Sequence, residues 1–341
     1  MALNDEQKEW LRRIYSSNYI KNVPKELLTE EFCIAAVQQS GYQLGEIPEA
    51  LRTEAVCLAA MQNWAEFQCV PDAAKTEAVC LAAVQKRCEA LKYVPDTLRT
   101  EEICLEAVKN HSTAFHYVPP AQMTEAVCIE AMKYPVPTGK YGGPPLHAHW
   151  LSMVPDERRT EAVCLAAVQY NTWALEYVPD ALKTEAFYVA AMIRNEDVRK
   201  NIPANLKASV EAAFKNAFAT EALCLAAVKQ NGNVLKKVPE ALKTEAVCLA
   251  AVQQNAWALE YVPKAQKTEA LCLAAVQQAG NTLKYVPEAL KTEAMCLAAM
   301  QQNSWAMDFV PKALRDKVQA AMNRSEISSG SGGLGYGINL I

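Results

Sequence analysis

The feature that most constrains this chain is a proline that returns at an almost fixed interval. Most intervals are 24 residues, with one of 23 and two of 36. A fixed period in this range is the sequence signature of a stacked repeat architecture, in which each unit contacts only its neighbours. Each of these prolines follows a Val or an Ile, and they are Pro24, Pro48, Pro71, Pro95, Pro119, Pro155, Pro179, Pro203, Pro239, Pro263, Pro287 and Pro311.

Each unit parses into two helices, as the copy KTEAVCLAAVQQNAWALEYVP that ends at Pro263 illustrates. Thr244 is a predicted N-cap whose hydroxyl accepts a backbone N–H, and Glu245 places negative charge at the positive end of the helix dipole. We expect this first helix to run for about ten residues and to end at Asn255, since Asn tolerates the left-handed C-cap conformation. The second helix, Ala256 to Tyr261, is predicted to be short because the following proline stops it.

The first helix is apolar on nearly all sides, which means that it must be covered on several sides. A helix pair of this size cannot bury such a surface alone, whereas stacked neighbours can. Strong helix formers dominate the composition, and the chain has only twelve glycines. We therefore predict an all-α protein, an α-solenoid of about twelve 24-residue helical-pair repeats.

The two 36-residue intervals predict interruptions of the array. The first contains an insertion rich in Pro and Gly, and the second contains the segment LKASVEAAFKNAF, which is predicted to form an additional helix. The predicted organisation is capping helices at 1–23, a first repeat array at 24–205 with a loop insertion at 135–146, an irregular extra helix at 206–219, a second repeat array at 220–322 and a flexible Gly/Ser tail at 323–341.

The unit can be written TEAVCLAAVxQNxxALxYVPxALK. It resembles the bacterial tandem helical-repeat family of unknown function numbered 4116, whose units have the form V-x-x-A-V-x-x-N-G-x-A-L-x-x-A. The likeness covers roughly Pro24 to Lys312, and the chain departs from it in the Val-Pro pair and in a recurrent cysteine. The resemblance implies a helical repeat fold without catalytic residues, in a bacterial or bacterium-associated protein that acts as a delivered effector or an adaptor. The matching residues are Val228, Asn231, Gly232 and Leu235 in one copy, and Val252, Asn255, Ala258 and Leu259 in the next.

Charge and composition bear on partners and compartment. The chain has 34 basic and 38 acidic residues, a net charge of -4, whereas a nucleic-acid solenoid normally needs a basic surface, so nucleic acid is an unlikely partner. The first residues lack the apolar core of a secretory signal, and no stretch approaches the length of a membrane span. Ten of the twelve cysteines recur at one repeat position, which points to a reducing compartment. We expect a cytoplasmic protein without membrane contact.

No constellation of residues indicates catalysis, a cofactor or a metal. Equivalent cysteines on successive repeats should lie about one helix spacing apart, roughly 8 to 10 Å, too far for a disulfide or a shared metal. We call the ten recurrent cysteines the ladder. Cys69 and Cys88 do not belong to it and are predicted to be exposed or half-buried thiols. The pair His147 and His149 would point apart on a helix. We expect no enzyme, no cofactor and no metal site. The ladder comprises Cys33, Cys57, Cys80, Cys104, Cys128, Cys164, Cys224, Cys248, Cys272 and Cys296.

The candidate partner-binding residues are aromatic or lie in the insertion. Trp173, Trp257 and Trp305 occupy one equivalent position, six residues before the proline, where a ring either fills the seam between repeats or contacts a partner. Lys140 and Tyr141 at the tip of the insertion supply a cation and an amphipathic ring, a pairing suited to interfaces.

These patterns favour a non-catalytic protein–protein interaction scaffold whose partner is a protein or a peptide. The residue three before the proline changes charge from repeat to repeat, while the capping Thr and the Cys barely change. Two alternatives stay open: a nucleic-acid-binding helical repeat that uses one residue set per repeat, and a structural spacer.

Overall fold

The computed structural model describes residues 3–17, 20–133 and 147–328, and these contain helices and turns without a β-strand. Neighbouring helices of successive repeats lie against each other, and the predicted all-α repeat solenoid is confirmed. The α-helices are α1 Asp5–Ser17, α2 Glu30–Gln39, α3 Glu54–Met61, α4 Glu77–Lys86, α5 Glu101–Asn110, α6 Glu125–Lys133, α7 His147–Met153, α8 Glu161–Tyr170, α9 Glu185–Arg194, α10 Ala204–Asn216, α11 Glu221–Gln230, α12 Glu245–Gln254, α13 Glu269–Gln278, α14 Glu293–Gln302 and α15 Lys312–Ser328.

The second helix of most repeats is a 3₁₀-helix of six residues. The sequence predicted a short helix at Ala256–Tyr261, and the structure places a 3₁₀-helix there because a segment this short, stopped by a proline, closes i→i+3 bonds more readily than an α-helix. The six-residue 3₁₀-helices are Gly41–Glu46, Cys88–Tyr93, Ser112–Tyr117, Thr172–Tyr177, Glu196–Asn201, Gly232–Lys237, Ala256–Tyr261, Gly280–Tyr285 and Ser304–Phe309.

The turn after most of the prolines forms a third helical element that the sequence did not predict. In the clearest copy the N–H of Gln266 donates to the carbonyl of Pro263 at 2.9 Å, which closes a single 3₁₀ turn before the next N-cap. The three-residue 3₁₀-helices are Ile20–Asn22, Lys25–Leu27, Glu49–Leu51, Phe67–Cys69, Asp72–Ala74, Asp96–Leu98, Pro120–Gln122, Asp156–Arg158, Asp180–Leu182, Glu240–Leu242, Lys264–Gln266 and Glu288–Leu290.

The recurrent Thr caps the first helix and also links it to the preceding repeat. The Oγ1 of Thr244 accepts from the N–H of Val247 at 3.4 Å, as predicted, and its hydroxyl donates to the carboxylate of Glu221 in α11 at 2.6 Å. Thr76 donates to Glu54 in the same way at 2.8 Å. In these helices the first Glu therefore serves the next repeat as well as its own helix dipole.

The predicted left-handed C-cap is wrong. Asn255 has φ −150° and ψ 112°, an extended backbone, and its side chain accepts from the N–H of Trp257 at 3.0 Å. The residue is the N-cap of the following 3₁₀-helix, and Asn171, Asn195, Asn231 and Asn303 cap in the same way. The short connection leaves no room for a separate left-handed residue, since one residue ends the first helix and begins the second.

The glycines after these positions are required by close packing and not by backbone freedom. A Cβ on Gly232 would lie 2.3 Å from the carbonyl oxygen of Ala251 in the next repeat, and one on Gly280 would lie equally close to that of Ala299. The start of each 3₁₀-helix therefore touches the backbone of the following α-helix.

The core runs through the centre of each stack. In α12 the residues Val247, Cys248, Ala251 and Val252 are buried, and the corresponding residues of most other first helices are buried as well; Leu223 in α11 is an exception and is exposed. The chain forms two compact units, Met1–Phe187 and Tyr188–Ile341, with the boundary inside α9. This boundary lies before the segment 206–219, which the sequence placed between the two arrays.

Each unit is a stack of repeats. In the first unit α2 to α6 pack consecutively and α6 packs on α8, so that α7 after the insertion takes the place of a second helix. In the second unit α11 to α15 pack consecutively, after α10. The insertion at 135–146 and most of the tail at 323–341 lie outside the described residues.

A cation just before the capping Thr joins the ends of two successive 3₁₀-helices. The Nζ of Lys243 is buried, donates to the carbonyl of Tyr261 in the next repeat at 3.2 Å and pairs with Glu240 at 2.6 Å. Arg159 donates to the carbonyls of Val154 in its own repeat and Tyr177 in the next. Equivalent bonds to the next repeat come from Arg52, Lys267 and Lys291.

These cations compensate carbonyl groups that the backbone leaves unpaired. The last carbonyls of a helix lack intrahelical donors, and the proline that follows each 3₁₀-helix has no N–H to offer. A cation is also the favoured charge at that end of a helix dipole. Burial lowers the pKa of Lys267, yet the hydrogen bond to Tyr285 at 2.8 Å keeps the side chain in place.

We predict that Lys243→Met lowers the free energy of unfolding by about 1 to 3 kcal/mol, because it leaves the Tyr261 carbonyl without its donor. Urea denaturation measures this change. The matched control is Lys243→Arg, which should stay close to the wild-type value because Arg already fills the equivalent place at Arg52 and Arg159. Equal losses in the two variants would contradict this role for the hydrogen bond.

Candidate protein-binding surface

The six-residue 3₁₀-helices mostly present their second and fifth residues to solvent, with Thr113 and Asn281 half-buried. The third and fourth residues, such as Ala258 and Leu259, are buried, whereas Trp257 and Glu260 on either side are exposed. We call the surface formed by the second and fifth residues the variable row. In the first unit its pairs are Tyr42/Gly45, Glu89/Lys92, Thr113/His116 and Trp173/Glu176, and in the second they are Asp197/Lys200, Asn233/Lys236, Trp257/Glu260, Asn281/Lys284 and Trp305/Asp308.

The three tryptophans predicted as partner contacts all belong to this row. Their exposed fractions are 61% for Trp173, 40% for Trp257 and 75% for Trp305. Trp173 and Trp305 are mostly in solvent, while the Trp257 ring also contacts Tyr285 of the following repeat. The tyrosines Tyr261 and Tyr285, at the ends of their 3₁₀-helices, are half-buried. Partner contact by the tryptophans stays a prediction.

In the second unit the character of the row alternates over the four repeats that follow the Asp197/Lys200 pair. Asn233 with Lys236 is followed by Trp257 with Glu260, and the next two repeats continue this order with Asn281/Lys284 and Trp305/Asp308. A neutral amide and a cation therefore alternate with an indole and a carboxylate. The buried residues do not alternate in this way, since equivalent interior positions of successive repeats, such as Cys248 and Cys272, hold the same residue.

The indole of Trp257 lies in a cluster with the following repeat. The Nζ of Lys284 is 5.0 Å from the centroid of the Trp257 ring and 4.6 Å from that of Tyr285. The two rings meet edge to face at 6.3 Å, and the Tyr285 hydroxyl donates to Glu260 at 3.0 Å. This cluster was not predicted from the sequence, although the three-residue spacing of Trp257 and Glu260 could have suggested that they share one side of a 3₁₀-helix.

The 23-residue interval opens a cleft in the first unit. Its α3 has eight residues and its second helix only three, Phe67–Cys69. Trp64 has φ 64°, the one positive value outside glycine among the described residues, and such a backbone is strained for a bulky side chain. The cleft beside it is lined by Met61, Ala65, Phe67, Arg87, Lys92 and Tyr93, among others.

Lys140 and Tyr141, the other two predicted partner contacts, lie outside the described residues. Their role in binding stays a prediction.

The cysteine ladder is a packing feature in the part of the chain that the structure describes. The thiol of Cys248 is fully buried and its Sγ donates to the carbonyl of Lys243 at 3.6 Å, and Cys164 repeats this contact with Arg159. Cys69 is half-buried as expected, but Cys88 is buried and lies 3.8 Å from the hydroxyl of Thr113. No group of three metal-ligating side chains occurs among the described residues.

Comparisons with known proteins identify the repeat and nothing more. The family model of a domain of unknown function, DUF4116, matches residues 77–121 and 221–266, which are segments of about two repeats each in the first and the second unit. The predicted resemblance to this family is confirmed. No curated protein and no solved structure matches the chain. The description of the family names no activity, so function must be argued from the surface.

Burial of the ladder thiols makes stability depend on pH. Burial raises the pKa of Cys248 from 9.0 to about 11, and the pKa of Cys33, Cys57, Cys104 and other ladder thiols is raised similarly. Above about pH 9 the thiols of the unfolded chain lose protons that the folded chain retains. Stability should therefore fall as the pH rises from about 9 to 11.

We predict that Cys248→Ala makes this fall less steep, by up to about 1.4 kcal/mol per pH unit, because one titrating thiol has been removed. The measurement is the free energy of unfolding from urea titrations across that range. The control Val252→Ala should lower stability at every pH and keep the wild-type slope. An unchanged slope in Cys248→Ala would show that this thiol ionises in the folded state.

Proposed function

We propose that the chain is a non-catalytic scaffold that binds protein or peptide partners along the variable row. The observation that carries the proposal is the exposure of three indoles at one repeat position, each three residues before a carboxylate, on repeats of the two units whose interiors hardly change. Trp is among the residues most enriched at the energetic centres of protein interfaces. Leaving it in water on three separate repeats has no benefit for the stability of the stack.

A rigid stack suits this task. The variable row lies on short 3₁₀-helices whose ends are held by capping side chains and by the buried cations, so the recognition side chains start from a fixed backbone. Preorganisation of this kind lowers the entropy lost on binding. Repeats of this sort create extended surfaces on which each unit supplies its own contact.

The charges of the row favour a protein over a nucleic acid as the partner. A protein that binds the phosphates of a nucleic acid needs cations in succession, whereas the charges of the row alternate in sign at Lys236, Glu260, Lys284 and Asp308. An extended polypeptide can present apolar, cationic and anionic side chains in turn, which such a row could match one by one. The alternative of a structural spacer leaves the exposed indoles without a role.

The proposed setting is the cytoplasm, in an adaptor or in an effector of a bacterium. Twelve free cysteines, buried and protonated along the ladder, favour a reducing compartment. The family resemblance supports the bacterial setting. No α-helix of the described residues has the length and apolar character needed to cross a membrane.

Site-specific photo-crosslinking in a lysate of the native host tests the proposal. With a benzophenone amino acid at position 305, we expect a crosslinked protein that is absent when the label replaces Leu249, an exposed residue of α12 away from the row. The variant Trp257→Ser, labelled at 305, should crosslink less of the same protein. Equal crosslinking at both positions, or recovery of nucleic acid alone, would overturn the scaffold proposal.

A further inference from the structure

The second and fifth residues of one six-residue 3₁₀-helix stand on the same side of it. Three residues complete a turn of a 3₁₀-helix, so side chains at i and i+3 eclipse each other. The row itself shows this geometry where both members are charged, since the Nζ of Lys200 lies 2.8 Å from the Oδ1 of Asp197. Trp305 and Asp308 occupy the same two positions of Ser304–Phe309. The indole and the carboxylate therefore face the same volume of solvent.

A ring face beside a carboxylate is suited to a cation. The negative face of an indole attracts an ammonium or a guanidinium, and a nearby carboxylate adds an ion pair. The chain shows the first of these two interactions at Trp257, where Lys284 from the next repeat lies over the ring. Glu260, the partner of Trp257 in the row, is engaged by the Tyr285 hydroxyl. The ring and the carboxylate of the Trp257/Glu260 pair therefore both have partners within the protein.

The pair at Trp305 has no such internal cation among the described residues. The element that follows it is α15, and the guanidinium of Arg315 donates to the backbone carbonyls of Val310 and Asp308 instead of lying over the ring. Trp305 is accordingly 75% exposed, against 40% for Trp257. The carboxylate of Asp308 forms no ion pair with a described residue.

We propose that Trp305 and Asp308 form a receptor for a Lys or Arg side chain of the protein partner, with arginine preferred. A guanidinium stacks flat on an indole and can bond a carboxylate with two parallel N–H groups, whereas an ammonium does neither. The net charge of -4 favours a basic segment as the partner. This inference rests on the proposed scaffold function and specifies the chemistry of one of its contacts.

The same geometry specifies what Lys284 does. Lys284 occupies the receptor at Trp257, so this second Trp–carboxylate pair is closed to an external cation. Removing the lysine side chain should make the Trp257/Glu260 pair accessible to an external cation. The second unit therefore carries one open and one closed copy of the same site, which provides an internal comparison.

Fluorine NMR of the full chain labelled with 5-fluorotryptophan tests the receptor, since each tryptophan gives its own resonance, assigned by Trp→Phe variants. The probe is the peptide acetyl-Gly-Gly-Arg-Gly-Gly-amide, and its neutral control carries citrulline in place of arginine. We expect a saturable shift of the Trp305 resonance with the arginine peptide, a much smaller one with citrulline, and none at Trp257. Asp308→Asn should weaken binding about two- to fivefold.

In Lys284→Ala the arginine peptide should shift the Trp257 resonance as well. No shift at Trp305, an equal shift with the citrulline peptide, or an unchanged Trp257 in Lys284→Ala would each overturn the receptor. Because the probe is a defined peptide, these results are separate from those of crosslinking in lysate. A failure here removes the cation receptor, and only a failure of the crosslinking removes the scaffold.

Discussion

The stack depends on how the carbonyls at the ends of its 3₁₀-helices are paired. The proline that ends the helix cannot donate to them, and in several repeats a buried or half-buried Lys or Arg from the neighbouring turn does so and thereby joins one repeat to the next. Lys243 and Arg159 meet this need with different side chains, so either cation can serve. The Thr–Glu bonds between first helices add a second link of the same kind.

Because other residues hold the repeats together, the residues of the variable row can change. The interior residues, the capping Thr and Asn, and the cations have fixed partners in the adjacent repeat, whereas the second and fifth residues of the six-residue 3₁₀-helices make few contacts there. Where such a contact does exist, it covers part of the row: Lys284 lies over the ring of Trp257, whereas the ring of Trp305 stays more exposed. An interior that is nearly the same in every repeat, combined with surface residues that differ between repeats, is the arrangement expected of a binding scaffold.

Much of the frame could be predicted from the sequence, and the reasons for the failures are physical. The period, the Thr caps and the ten-residue first helix follow from local rules that act within one repeat. The role of Asn255 was predicted wrongly because a C-cap and an N-cap share the same residue types, and only the length of the connection distinguishes them. The function of Lys243 was missed because its acceptor lies in the next repeat, although a cation that recurs before most of the capping Thr residues was a visible signal. The tryptophans could be placed on one ladder, but their exposure depends on the 3₁₀ geometry.

The most direct test of the central claim, that binding takes place on the variable row while the frame stays unchanged, is amide hydrogen exchange with and without the captured partner. The account predicts that protection on binding appears in the six-residue 3₁₀-helices, including Ala256–Tyr261 and Ser304–Phe309, while the amides of α12 and α14 keep the rates of the free protein. Protection confined to the first helices, with none in the 3₁₀-helices, would contradict it.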